Sequence, residues 1–165
     1  MKLGIFAIFV IVGAALLILP LLNLNNVSIP NESPTITEPI GYINDSADII
    51  GSDVEASLEA DLKNFKPEIA VLTVKSMNGL AIEEYSMKIA NEWKVGDADK
   101  DDGVILIVST GERKVRIEVG YGSEGKINDA KAGRILDEKV LPYFKNGDWE
   151  NGILEGVLAI KAALK

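Results

Sequence analysis

The chain contains no histidine and no cysteine. Those absences exclude Ser-His-Asp triads, cysteine nucleophiles, phosphohistidine intermediates, imidazole or thiolate zinc sites and disulfide frameworks. Positive charge is also scarce: 17 lysines and arginines stand against 25 aspartates and glutamates, a net charge of −8 in 165 residues. Such a chain is poorly suited to neutralising phosphates along a nucleic acid, and no nucleic-acid partner is expected. Carboxylate chemistry, binding of hard cations and anion sites built from backbone N–H groups remain. The length suits one domain of ordinary size.

Charge is absent altogether from Leu3 to Leu22, after Lys2. At ~1.5 Å per residue a helix of that run measures ~30 Å, the thickness of a bilayer's hydrocarbon core. A cleaved signal peptide would end in a small-x-small site, but Gly13-Ala14-Ala15 runs directly into Leu16-Leu17-Ile18-Leu19. Residues 1–22 are therefore expected to form a retained single-pass anchor, with Lys2 inside and the rest of the chain outside the cytoplasm. Secretion after signal cleavage is the alternative. Residues 23–39 carry Pro30, Pro34 and Pro39 among polar residues and read as a linker. The folded domain is expected over 40–165.

Within it, Ser52-Asp53-Val54-Glu55 has capping-box spacing and opens a helix to about Phe65, ahead of Pro67. Ile69 to Val74 and Val104 to Val108 are short apolar runs suited to strands buried on both faces. A helix over Ile82 to Lys94 separates them. Lys114 to Val119 alternates polar and apolar residues, the pattern of a half-exposed edge strand, and two helices follow, about Asp129 to Val140 and Asp148 to Leu164. The expectation is an α/β fold, a small mixed β-sheet flanked by helices in the order α-β-α-β-β-α-α, preceded by the N-terminal hydrophobic helix.

Strand direction then places the loops. Two strands joined through a helix run parallel, and the hairpin returns the third. The acidic segment Gly96 to Asp102 and the glycine-rich segment Gly120 to Asn128 should meet at one end of the sheet. Asp97-Ala98-Asp99-Lys100-Asp101-Asp102 begins like an EF-hand loop, but Asp102 and Val108 stand where Gly and a bidentate Glu are required. It reads as a solvated turn or an oxygen-ligated cation site of another kind. Gly120-Tyr121-Gly122-Ser123-Glu124-Gly125-Lys126 approximates a phosphate-binding loop, but Ile127 replaces the Ser or Thr needed for magnesium, so no nucleotide is expected. Asp129 is read as capping the helix that follows. Trp93, Tyr143, Phe144 and Trp149 read as core, and Tyr121 remains open. Arg134 is a cation placed to assist phosphate binding, or the partner in a surface salt bridge.

In order and spacing these segments resemble the TPM domain family, named for a thylakoid-lumen protein, a photosystem II repair protein and a modulator of a levamisole-sensitive acetylcholine receptor. The likeness rests on Tyr42-Ile43-Asn44-Asp45, Ile69 to Val74, Asn91 to Asp97, Lys100-Asp101-Asp102-Gly103-Val104, Arg113 to Gly122, Asn128-Asp129-Ala130 and Leu141 to Asp148. It implies an extracytoplasmic domain with a signal or anchor, and it associates the fold with calcium binding and acid phosphatase activity. By resemblance Asp45, Asp101, Asp102 and Asp129 occupy motif positions, with Asp97 and Glu118 beside them. Two readings follow. One is a membrane-tethered accessory or binding module, its acidic cleft holding Ca²⁺ and its partner a membrane protein or complex. The alternative is a metal-dependent acid phosphatase using the same carboxylates.

Overall fold

The structure is a computed structural model and describes residues 38–165. Its elements are β1 (Ile43–Asp45), α1 (Ser52–Leu62), β2 (Ile69–Val74), α2 (Ile82–Trp93), β3 (Val104–Ser109), β4 (Lys114–Val119), a 3₁₀ turn (Tyr121–Ser123), α3 (Asp129–Ile135), a π turn (Leu136–Val140), α4 (Leu141–Lys145) and α5 (Trp149–Leu164). The four strands form one mixed sheet in spatial order β1-β2-β3-β4. β1, β2 and β3 are parallel, and β4 runs antiparallel to β3.

Alternation along the two central strands builds a core on each face. Ile69 and Val71 of β2, with Val104, Leu106 and Val108 of β3, pack against α1 and the C-terminal helices. Ala70, Leu72 and Val74, with Ile105 and Ile107, pack instead beneath α2 through Ile82, Tyr85, Ile89 and Trp93. This accounts for apolar runs without polar alternation: both faces of these strands are dry. β4 is the half-exposed edge its pattern indicates. Trp93 and Phe144 are buried, and Trp149 is half-buried with its ring 4.6 Å from that of Phe144.

The differences from the sequence reading have physical causes. β1 has no signal in the sequence: three residues are too few to show a period, and pairing comes from the main chain, with the Val71 N–H donating to Tyr42 O at 2.7 Å. Glu59 of α1 accepts the Tyr42 and Ile43 N–H groups at about 2.9 Å, capping that sheet edge. The capping box at Ser52 does not form. Gly51 is the N-cap without a side-chain bond, and the preceding turn is held by Asp45 and Glu150 instead. Asn128 rather than Asp129 caps α3, accepting the Lys131 N–H at 3.0 Å. The helix expected to end at Val140 widens into the π turn and resumes as α4, where Pro142 has no N–H to continue a regular ladder.

The hydrophobic segment 3–22 and most of the linker lie outside the described residues. Among the described residues no helix is long and apolar enough to cross a membrane. The expectation of a single-pass anchor, a membrane partner and the topology drawn from them is corrected to that extent: nothing among the described residues supports it.

Candidate functional site

The acidic and glycine-rich loops meet as the strand directions require. The Gly120 N–H donates to Gly103 O at 2.8 Å and the Gly122 N–H to Asp101 O at 2.8 Å. The Ser123 hydroxyl donates to Asp102 O at 2.7 Å, and the Tyr121 N–H to Asp101 Oδ2 at 3.2 Å. Glycine is required here by proximity. A Cβ on Gly120 would overlap the carbonyl of Asp101, and one on Gly122 that of Lys100. The Gly-Tyr-Gly motif is thus a backbone-to-backbone joint with the acidic loop.

Beside this joint, between α2 and β4, lies a cavity of about 510 Å³. Asp97, Asp101, Glu118 and Glu124 line it, with Lys94 and Asn91 from the end of α2. Asp97 Oδ1 accepts the Asp99 N–H at 3.0 Å and the Lys100 N–H at 3.3 Å, and its Oδ2 lies 3.5 Å from Lys100 Nζ. The Asp99 N–H first, with the Lys100 charge adding to it, holds the Asp97 carboxyl below the usual aspartate range against a smaller opposing effect of burial. Asp101 adopts φ +49°, and its Oδ1 takes no hydrogen bond among the described residues. Deeper in, Glu118 Oε2 accepts the hydroxyl of fully buried Ser86 at 2.7 Å and Arg116 Nε at 2.8 Å.

The five aspartates singled out by resemblance do not gather in one place. Asp97 and Asp101 line the cavity; Asp102 turns its Oδ1 to the Asp97 N–H at 2.9 Å. Asp45 lies toward the opposite end of the sheet. It pairs with Thr73, four residues along β2 from Ile69, the partner of Val104. At ~3.3 Å per residue that is roughly 13 Å along the strands. Its carboxylate is consumed there, Oδ2 accepting the Ile49 and Ile50 N–H groups at 2.8 Å each and Oδ1 the Thr73 hydroxyl. Asp129 is exposed at the start of α3 and does not line the cavity. Among the described residues no group of three or more metal-ligating side chains could hold a metal ion. The acidic cleft expected to hold Ca²⁺ through Asp45, Asp97, Asp101, Asp102 and Asp129 is corrected accordingly: the five form no such cluster. Arg134 also does not line the cavity; Lys94 is the cation that does. Lys126, which imitates the lysine of a phosphate loop, donates instead to the Leu164 carbonyl at the end of α5.

The sequence reading missed Lys94 and Asn91 as cavity residues. Their signal was position: both fall where α2 ends, one turn before the acidic loop.

A mixed sheet covered on both faces, with an acidic cavity beside the two joined loops, defines the class. Residues 43–163 match the TPM domain model, named TPM phosphatase. The chain belongs to the TPM domain family. It is similar to the solution structure of the N-terminal domain of a protein from P. gingivalis, at 31% identity and TM-score 0.69 over 74% of this chain and 81% of that one. Its fold is also that of the BA42 protein from Bizionia argentinensis, at 17% identity and TM-score 0.61 over 71% of this chain and 82% of that one. The N-terminal domain of cg2496 from Corynebacterium glutamicum shares it too, at 17% identity and TM-score 0.59 over 81% and 85%. No curated protein matches.

Proposed function

We propose that the cavity hydrolyses phosphate monoesters with the help of a hard divalent cation, Ca²⁺ or Mg²⁺, that binds together with the substrate. The observation that carries this reading is the pairing of Asp97 and Asp101 in one 510 Å³ cavity with Lys94, in a chain that matches the TPM phosphatase model. The donor set suits a site completed by substrate. Two carboxylates plus phosphate oxygens are a common arrangement for Mg²⁺, whereas a dedicated protein cage of the kind Ca²⁺ takes needs more ligands than meet here. Asp97 and Asp101 would hold the cation, and Lys94 and Asn91 would orient the phosphate. When bound, the cation offsets the charge of the phosphate and of the carboxylates that would otherwise repel it. Histidine and cysteine are absent as nucleophiles, and with Asp97 and Asp101 assigned to the cation we take water as the attacking group.

Phosphate release from a panel of monoesters by the full chain, with EDTA, Ca²⁺ or Mg²⁺, tests this. Cation-dependent turnover is expected, falling at least about tenfold in Asp101→Asn with little change in melting temperature. No release with either cation, or release indifferent to Asp101→Asn, would end the reading.

A further inference from the structure

The four large hydrophobic side chains most exposed among the described residues are Ile40, Met87, Tyr121 and Leu158, and two of them, Met87 and Tyr121, line the acidic cavity. Scattered apolar side chains on a surface carry little meaning, but two on the rim of one polar cavity form a local apolar wall.

Tyr121 is 79% exposed, yet its main chain is among the most firmly tied in the loop. Its N–H is bonded to Asp101 Oδ2, its carbonyl accepts the Glu124 N–H at 3.3 Å, and Gly120 and Gly122 on either side are bonded to the acidic loop. The ring therefore stands out from a fixed backbone, and a ligand that stacks on it need not first order the loop. Tyr121 contributes little to the core and takes no hydrogen bond through its hydroxyl among the described residues. Met87, 58% exposed on α2, lines the same cavity with a thioether, which packs adaptably against aromatic rings. The volume of about 510 Å³ is that of a site for a ligand with a body, larger than a bare phosphate.

We infer that Tyr121, assisted by Met87, is the specificity-determining wall of this site and selects aryl over alkyl phosphate monoesters. The inference rests on the phosphate-ester reading above and adds the class of the leaving group. The phosphate lies toward Lys94 and Asp101, and the ring of the ester stacks on Tyr121. Aromatic pairing of this kind corresponds to a preference of about 3- to 10-fold.

Isothermal titration of the full chain with phenyl phosphate and with methyl phosphate, in MgCl₂ and in CaCl₂, tests it directly. The wild type should bind phenyl phosphate about 3- to 10-fold more tightly. Tyr121→Phe should keep that ratio, and Tyr121→Ala should bring it close to one by weakening phenyl phosphate more than methyl phosphate. Met87→Ala should reduce it by a smaller factor. A wild-type ratio near one, a ratio that survives Tyr121→Ala, or binding of neither ester would overturn the inference. The two readings separate cleanly. A Tyr121-dependent ratio without phosphate release would end the hydrolytic reading and leave aryl-phosphate recognition standing. Phosphate release whose substrate preference ignores Tyr121→Ala would do the reverse.

Discussion

At the end of the sheet where the parallel strands finish, Asp45 and Glu112 spend their oxygens inside the fold. Asp45 closes the turn before α1 and ties it to β2 through Thr73. Glu112 accepts the hydroxyls of Ser109 and Ser76 and the Met77 N–H, fastening the β3–β4 hairpin to the segment after β2. At the other end Asp97 and Asp101 also bond nearby backbone groups, but both remain exposed and border a cavity. The same residue type is a strut in one place and a candidate ligand in the other. What separates them is where the donors sit. Those of Asp45 and Glu112 include half-buried or buried groups of the core, whereas Asp97 bonds only exposed groups of its own turn and Asp101 keeps Oδ1 without a donor among the described residues. A carboxylate whose lone pairs are engaged by a turn and a buried hydroxyl has little left for a ligand.

The largest loss is expected at Asp45. Asp45→Ala leaves two N–H groups and a buried hydroxyl without their acceptor, and should cost about 3 kcal/mol in urea unfolding. Asp101→Ala should cost less than about 1 kcal/mol, because its main partner is an N–H at the surface. Equal losses would mean that the two ends do not differ as described.

A smaller effect tests the joint beneath the cavity. Gly120→Ala forces a methyl into the Asp101 carbonyl and should cost about 2 kcal/mol while weakening phosphate-ester binding. Gly125→Ala, whose Cβ would meet open space, should stay within about 0.5 kcal/mol of wild type. If the two variants unfold at the same urea concentration, the loops are not locked together through glycine.

The smallest effect concerns acid. The Ser109 hydroxyl foremost, with Ser76 and the Met77 N–H, holds the Glu112 carboxyl below the usual glutamate range, against a smaller opposing effect of burial. A carboxyl lowered by folding contributes stability above its unfolded pKa and loses it as pH falls through the folded value. Glu112→Gln should therefore cost up to about 1 kcal/mol at pH 7 and converge on wild type in strong acid. The pH profile of the urea midpoint is the measurement, and parallel profiles for the two proteins would remove the strut at Glu112. The same neighbours show in Tyr85, whose phenol is raised by burial and then by the Glu112 charge.

Much of the layout was legible along the chain. Local pattern suffices for β2 and β3 as short apolar runs, and for β4 and α2 through their hydrophobic period, since each buries its pattern within one segment. The meeting of the acidic and glycine-rich loops followed from strand direction alone. The site was less legible, because motif position identifies residues that matter without distinguishing ligand from strut. Asp45 and Asp101 sit in motifs of equal weight, yet only Asp101 lines the acidic cavity.

By itself the sequence determined which chemistry is absent, through the missing histidine and cysteine, and where the central strands and the joined loops fall. These depend on residue type and on patterns a few residues long. Only the tertiary structure decided that Ile43–Asp45 is a fourth strand, and that Glu59 caps its edge from 16 residues away. It likewise separated Asp45 and Asp129 from the cavity and brought in Lys94 and Asn91. The physical reason is that a carboxylate's role is set by the donors around it. Those donors come from segments far apart in the chain, and no local pattern encodes their meeting.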